Sequence, residues 1–378
     1  MQNVSAAGLG IGDDHPPRIM GVLNVSAESP YDPSVYDDPG EAAAYVDTEL
    51  IDEGADIVDV GLESANKRFE VLSADQELDR LDTAIETIES VSGDAVFSIE
   101  TRYAEVADEA LSRGFDMVND ICGFADPEMP AVCRERDAAV VKMASPPDLE
   151  RPGAVEKPDD IYDALERGGL TDKTVVDPAF GGWSEAKTLE DDRETFRRLR
   201  EFRGLDRPIL VSINRKNFLR ELAGRTTEAA LPVSLAATAM AVERGAHVVR
   251  THDVAETADA AKIGSAFARD RVRDTGVGVE ELDVTTAGEA SRHLHRVGAD
   301  ESVAERVPVR VFELTGLADA DRDALAAAAA DAGVAFAPGD AGCILAGSPA
   351  DLDRLRTLST GGSDRLDAVF DAVSEPER

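Results

Sequence analysis

Along this chain short β-branched apolar runs alternate with longer stretches in which apolar residues return every third or fourth position. Those are the rhythms of buried strands and of amphipathic helices. Strands are predicted at 19–25, 57–61, 96–100, 117–121, 139–143, 174–180, 208–213 and 247–252. Helices are predicted at 40–53, 104–112, 130–136, 159–167, 189–202, 232–244 and 255–269, with one more carrying Leu78, Leu81, Ile85 and Ile88 on a single stripe. Their ends are signalled: Ser73 with Gln76, and Thr188 with Asp191, have the spacing of capping boxes, and Gly54 suits a C-terminal cap. Eight strand–helix units in some 250 residues are the pattern of an α/β fold of the (β/α)8 TIM barrel type. A doubly wound open sheet is disfavoured, because no G-x-G-x-x-G follows the first strand.

The barrel is expected over 18–274, preceded by a loose polar arm at 1–17. After Asp274 the alternation breaks. A polar linker with one short helical pattern, at 289–296, leads to a strand at 309–314, a helix at 319–332, a strand at 343–346 and helices at 351–358 and 365–373. Residues 275–378 are therefore expected to hold a linker and a small C-terminal α+β domain, which shows no catalytic motif.

Composition narrows the class. The 378 residues carry 76 acidic against 39 basic side chains, a formal charge of -37. Such a surface repels nucleic acid and anionic membrane. No apolar run approaches the roughly 20 residues of a membrane span, and the N-terminus lacks a basic region followed by an apolar one, so a cytoplasmic protein is expected. Acidic, Lys-poor and aromatic-poor together read as adaptation to a high-salt cytoplasm, where a Debye length of about 3 Å screens the self-repulsion. Cys122, Cys133 and Cys343 are scattered without metal-ligand spacing and are read as reduced and structural.

The candidate chemistry sits where the strands stop, at the ends that carry ligands in parallel-sheet enzymes. The run at 208–213 breaks into Asn214, Arg215 and Lys216, and Lys216 is notable in a Lys-poor chain. Arg250 and His252, two apart on one strand, face the same way and offer two cation-capable donors for an anion. Asp177 stands among apolar residues and needs a partner or a ligand that presents N–H groups. Asn119 and Asp120 add an amide and a carboxylate, and Glu100 a further acceptor. Asn24 can face a phosphate or its Mg2+, which takes oxygen ligands. Asp59 reads as bonded within the barrel. One end thus suits an oxyanion and the centre an N–H-rich heterocycle, which points to displacement of a phosphate ester from a flat polar ring. No His/Cys metal cluster and no Ser/His/Asp arrangement competes.

Eight segments, IMGVLNVS, GADIVDVGLES, FSIET, MVNDICG, VVKM, DPAFG, INRKNFL and VVRTHDV, follow the order and spacing of one family. Over 18–271 the chain resembles the dihydropteroate synthases. The resemblance implies a transferase of folate synthesis that joins 6-hydroxymethyl-7,8-dihydropterin pyrophosphate to p-aminobenzoate, releasing pyrophosphate. It implies Asp177, Asn119 and Lys216 on the pterin, Glu100 where an Asp is usual, Met143 as a wall, and Arg250, His252 and Asn24 on the pyrophosphate, with Mg2+ at Asn24. A homodimer is also implied. The chain departs from the family in Ser26 to Pro30 of the first loop, in Ser64-Ala65-Asn66-Lys67 where Ser-Thr-Arg-Pro is usual, in Gly182-Trp183-Ser184, and in Asn214 for a Ser near the second substrate. Lys67 or Arg68 is a candidate substitute for the lost Arg. A pterin-binding methyltransferase subunit and a non-catalytic pterin-binding homologue are the competing readings.

Overall fold

Inward and outward residues alternate along eight short strands, apart from one bulge, which gives each strand one face for the barrel interior and one for the helices. The computed structural model describes residues 1–25, 34–63, 71–149, 155–181, 186–274, 276–358 and 363–374. The chain divides into two compact units, Met1–Asp270 and Arg271–Arg378.

The first unit opens with strands β1 (Val4–Ala6) and β2 (Leu9–Ile11), followed by β3 (Arg18–Asn24), β4 (Ile57–Gly61), β5 (Val96–Thr101), β6 (Met117–Asp120), β7 (Ala139–Met143), β8 (Thr174–Asp177), β9 (Ile209–Val211) and β10 (Ala246–Thr251). Strands β3 to β10 pair in parallel, each with the next, and β10 returns to β3 to close the ring. Helices α1 (Pro39–Tyr45), α2 (Ala74–Ser90), α3 (Ala104–Ser112), α4 (Met129–Glu135), α5 (Pro158–Glu166), α6 (Leu189–Arg197), α7 (Asn217–Ala223), α8 (Leu231–Glu243) and α9 (Val254–Ala266) connect them. Both capping boxes read from the sequence form, Ser73 with Gln76 and Thr188 with Asp191. The helix expected at 40–53 changes hand-hold midway, from α1 to a π turn at Val46–Ile51. That expected at 189–202 ends as a 3-10 turn at Leu199–Leu205. Helix α7 was not anticipated.

Outward strand residues such as Ile19, Leu23, Val58, Val60, Ile99 and Val118 pack under the helices. Inward residues Met20, Ile57, Val96, Met117, Ala139, Val175, Leu210 and Val248 fill the N-terminal end of the barrel. Val4, Ala6 and Ile11 join that inner cluster. Here the sequence expectation is corrected: 1–17 is not a loose arm but begins with a hairpin that stoppers the barrel. Ala7 and Gly8 form its two-residue turn with φ of 46° and 92°, the positive-φ pair that matches the strand twist. The hairpin escaped notice because its three apolar contacts are spread among Gly and polar residues.

The stopper is tied down by charge. Asp13 accepts from Arg203 at 2.8 Å and pairs with His247 Nε2 at 3.1 Å. His247 is the extra residue where β9 and β10 shift register between Ala246 and Val248, and its Nδ1 accepts the Ile209 N–H at 3.0 Å. The ring thus replaces a ladder bond that the bulge removes.

In the second unit a short pair, β11 (Arg273–Asp274) with β12 (Val279–Glu280), precedes α10 (Ala287–Arg296). Then come β13 (Arg310–Leu314), α11 (Asp319–Ala332), β14 (Ala335–Pro338), β15 (Cys343–Gly347), α12 (Pro349–Leu358) and α13 (Asp364–Ser374). The sheet order is β13-β15-β14, antiparallel, over a core that includes Leu325, Leu345, Leu352, Leu355 and Phe370. The α+β character expected from sequence is present; β14, with its Ala-rich strand, was missed.

Candidate active site

Toward the C-terminal ends of the barrel strands the inward positions turn from apolar to polar. Gly61 pairs with Asn24 on one side and with Glu100 on the other, and Glu100 pairs with Asn119. Asp59 and Ser98 face each other one inward position lower on β4 and β5. Both are fully buried.

A bonded chain of side chains crosses this end. Asn119 Nδ2 donates to Asp59 Oδ2 at 2.9 Å, and Arg250 Nε donates to the same oxygen at 2.7 Å. Arg250 Nη2 donates to Glu100 Oε2 at 2.7 Å. One guanidinium therefore stands between two carboxylates. Against the effect of burial, Glu100 and Asp59 keep Arg250 firmly charged. Burial in turn pushes the Glu100 carboxyl up, aided by Asp59 and Glu63 and opposed by Arg250.

Across the mouth stands a second group. Asp177 Oδ1 accepts the Ala179 N–H at 2.8 Å. Burial pushes this carboxyl up to about 6, restrained by that bond and by Lys216. Lys216 is not on the strand but at the N-cap of α7, and burial lowers its pKa while Asp177 opposes the shift. A Cβ at Gly181 would lie 3.1 Å from Lys216 Nζ, and the φ of +113° there already requires glycine. Met143 is the cross-strand neighbour of Asp177 and is buried.

Three expectations are modified. His252, read as cation-capable, is driven down to about 3 by burial and by Arg250, so it is a neutral imidazole near pH 7. Asn214 commits its Nδ2 to Asp253 Oδ2 at 2.8 Å, and Arg215, held at φ 50°, binds both oxygens of the same carboxylate. Although burial pushes Asp253 up, these donors hold it below its usual range. Asp120 points outward, where its oxygens accept the Cys122 and Phe124 N–H groups and brace a turn. Residues 26–30, 64–68 and 182–184, where the chain departs from the family pattern, lie outside the described residues.

Sequence reasoning missed two residues here and gave a third too small a part. Asp59 is bonded within the barrel as expected, and it is also the hub of the bonded chain. Gly61 makes room: a Cβ there would stand 3.1 Å from Asn24 Oδ1 and 3.9 Å from Glu100 Oε1. Lys187 is buried beside Asp192 at 3.2 Å and donates to the Ala179 carbonyl at 2.8 Å, next to Asp177. Strict strand alternation signalled Asp59 and Gly61; nothing local signalled Lys187.

Among the described residues no group of three His, Cys, Asp or Glu side chains is placed to hold a metal. Asn24 Nδ2 donates to Ser34 Oγ at 3.1 Å, which turns Oδ1 toward Gly61 and Glu100. Hard oxygens in small number fit Mg2+, which keeps most of its ligands as water or phosphate.

A family model described as pterin binding enzyme matches residues 20–252. The chain is 33% identical over 257 residues to a dihydropteroate synthase of Bacillus subtilis, which covers 66% of this chain and 88% of that protein. It is 35% identical over 273 residues to a Haloferax volcanii protein named "Probable bifunctional folylpolyglutamate synthase/dihydropteroate synthase", covering 67% of this chain and 31% of that one. Among solved structures, a Xanthomonas albilineans dihydropteroate synthase with 4-aminobenzoic acid superposes with a TM-score of 0.59 at 28% identity, over 70% of this chain and 97% of that chain. The strand-end chemistry and these likenesses lead to one statement: this chain belongs to the pterin-binding enzyme family.

Proposed function

We propose that the barrel is a dihydropteroate synthase, a transferase that joins 6-hydroxymethyl-7,8-dihydropterin pyrophosphate to p-aminobenzoate and releases pyrophosphate. The observation that carries the reading is the bonded chain Asn119–Asp59–Arg250–Glu100 facing the Asp177 and Lys216 pair at one end of the barrel. Asp177, with one oxygen satisfied by Ala179, and Asn119, with its nitrogen given to Asp59, keep acceptor oxygens for the N–H groups of the pterin. Lys216 supplies the donor for its ring acceptors, and Met143 closes the flank. Arg250, neutral His252 and Asn24 receive the pyrophosphate.

In this pose the bond between the pterin methylene carbon and the pyrophosphate oxygen breaks, and its electron pair leaves on that oxygen. Positive charge develops at the methylene, where the fixed carboxylates Glu100 and Asp177 stabilise it. The amine lone pair of p-aminobenzoate then forms the C–N bond, and the amine proton passes to pyrophosphate or solvent. Asn24 would hold Mg2+, which when bound would supply positive charge against the departing oxyanion. Asn214, anchored to Asp253, stands on the side of the second substrate.

A pyrophosphate-release assay at high salt tests the reading. Release is expected when the pterin pyrophosphate and p-aminobenzoate are both present; pterin binding without release would instead assign a non-catalytic homologue.

The same reading places the protein in the cytoplasm of a salt-adapted cell. The charge of -37 supports it, as does the likeness to a Haloferax volcanii protein. Among the described residues no helix is long and apolar enough to cross a membrane. Unfolding below roughly molar KCl is expected; an unchanged circular dichroism signal after dialysis into low salt refutes this part. Met240 on α8, and Ile263 and Phe267 on and after the neighbouring α9, are exposed apolar side chains, which supports a homodimer through these helices. Ile263→Asp should then yield monomers in light scattering.

A further inference from the structure

One buried carboxylate at the mouth joins residues of both halves of the site. Asp59 is fully buried, and its Oδ2 alone receives two donors, from Asn119 and from Arg250. Its Oδ1 is buried and has no hydrogen-bond partner, and the same is true of Ser98 Oγ, the facing position on β5. A buried carboxylate oxygen left unpaired is destabilising by about 1–3 kcal/mol. An ion pair that served stability alone would not be arranged this way, since native structures leave few such atoms unsatisfied and each calls for an explanation. The explanation is in the partners. Asn119 and Arg250 lie on β6 and β10, 131 residues apart in number, and touch through this carboxylate. One presents its amide to the heterocycle and the other its guanidinium to the leaving anion.

We infer that Asp59 is a positioning residue that fixes Asn119 and Arg250 through one oxygen, so that the heterocycle end and the anion end of the site are set together. Its geometry is dictated by those two neighbours, and the unpaired Oδ1 follows from serving them. The charged and titratable groups around it are Glu100 on β5, Glu63 after β4, Arg250 on β10 and, beyond Arg250, Asp177 and Lys216. The negative charge of Asp59 also raises the Glu100 carboxyl, so its removal shifts the titration of a second residue.

The inference rests on the pterin reading, and the experiment separates the two. Binding of 6-hydroxymethyl-7,8-dihydropterin, which lacks phosphate, and of inorganic pyrophosphate is measured by calorimetry at high salt. If the wild-type chain binds neither, the functional reading fails. If it binds both, Asp59→Asn is expected to weaken each at least fivefold, and to move the acid limb of the turnover profile to lower pH as Glu100 is released from its neighbour. Wild-type affinities for both probes and an unmoved pH limb in a folded Asp59→Asn protein overturn the inference. Should that variant not fold, Asn119→Ala gives the second reading. Asn119 meets no phosphate in the proposed pose, so a threefold or greater loss of pyrophosphate affinity passes through Asp59, whereas an unchanged pyrophosphate affinity overturns the coupling.

Discussion

Gly61→Ala is expected to leave the barrel folded while damaging the reaction, and the two effects have separate origins. Gly61 ends β4 in extended backbone that alanine also adopts, so the lost freedom of the unfolded chain favours the variant by about 0.4–1 kcal/mol. The new methyl meets Asn24 Oδ1 at 3.1 Å, a contact that the amide relieves by moving a few tenths of an ångström. That crowding offsets the gain by about 1 kcal/mol. The melting temperature should therefore stay within about 2–4 °C of wild type. The methyl also crowds Asn24 Oδ1, the atom proposed to face the pyrophosphate and Mg2+. A displaced charge-assisted contact is worth about 1.5–3 kcal/mol, which corresponds to a fall of about 10- to 150-fold in kcat/KM. The assay is steady-state pyrophosphate release at several Mg2+ concentrations, with thermal melts of the same samples. The concentration of Mg2+ that gives half-maximal rate should rise. Wild-type kcat/KM and Mg2+ dependence in a folded Gly61→Ala protein would refute the assignment of Asn24 to the leaving group.

Asp13→Asn should destabilise the barrel by about 3–5 kcal/mol, because it strands Arg203 as a buried charge. Hydrogen bonding to His247 and the charge of Arg203 hold Asp13 far below its ordinary 3.8 despite burial, so its contribution is complete above that pH and is lost only in strong acid; equal melting temperatures at pH 7 would contradict the stopper's role. Glu77, buried under Thr101 at 2.6 Å, is pushed up to about 7 by burial. A raised carboxyl stabilises the fold below its ordinary 4.5 and loses that contribution as pH climbs through 7. Wild type should therefore gain melting temperature relative to Glu77→Gln as pH falls from 8 to 5; parallel melting curves against pH would exclude it. Lys216→Ala should raise KM for the pterin pyrophosphate by about 10-fold or more and leave KM for p-aminobenzoate within about threefold; the reverse pattern would move Lys216 to the amine side.

The alternation of β-branched runs with helical stripes determined the barrel before any coordinates, because hydrophobic periodicity is local and each strand carries its own inward and outward faces. The polar residues at strand ends were legible for the same reason: Asn24, Glu100, Asn119, Asp177 and Arg250 interrupt apolar runs where burial would otherwise be expected. What the tertiary structure alone decided concerns pairs distant in the chain. Asp59 and Arg250 are 191 residues apart and meet when β10 closes on β3, so no window of sequence could single out Asp59 as a hub. The neutrality of His252 is likewise set by burial beside Arg250 and not by residue type. The stopper at the barrel's N-terminal end was hidden because Val4, Ala6 and Ile11 find their apolar surroundings only in the ring of Met20, Ile57, Met117 and Leu210. Periodicity fixes which way a side chain faces; closure of the ring fixes what it faces, and the charges at this site depend on the second.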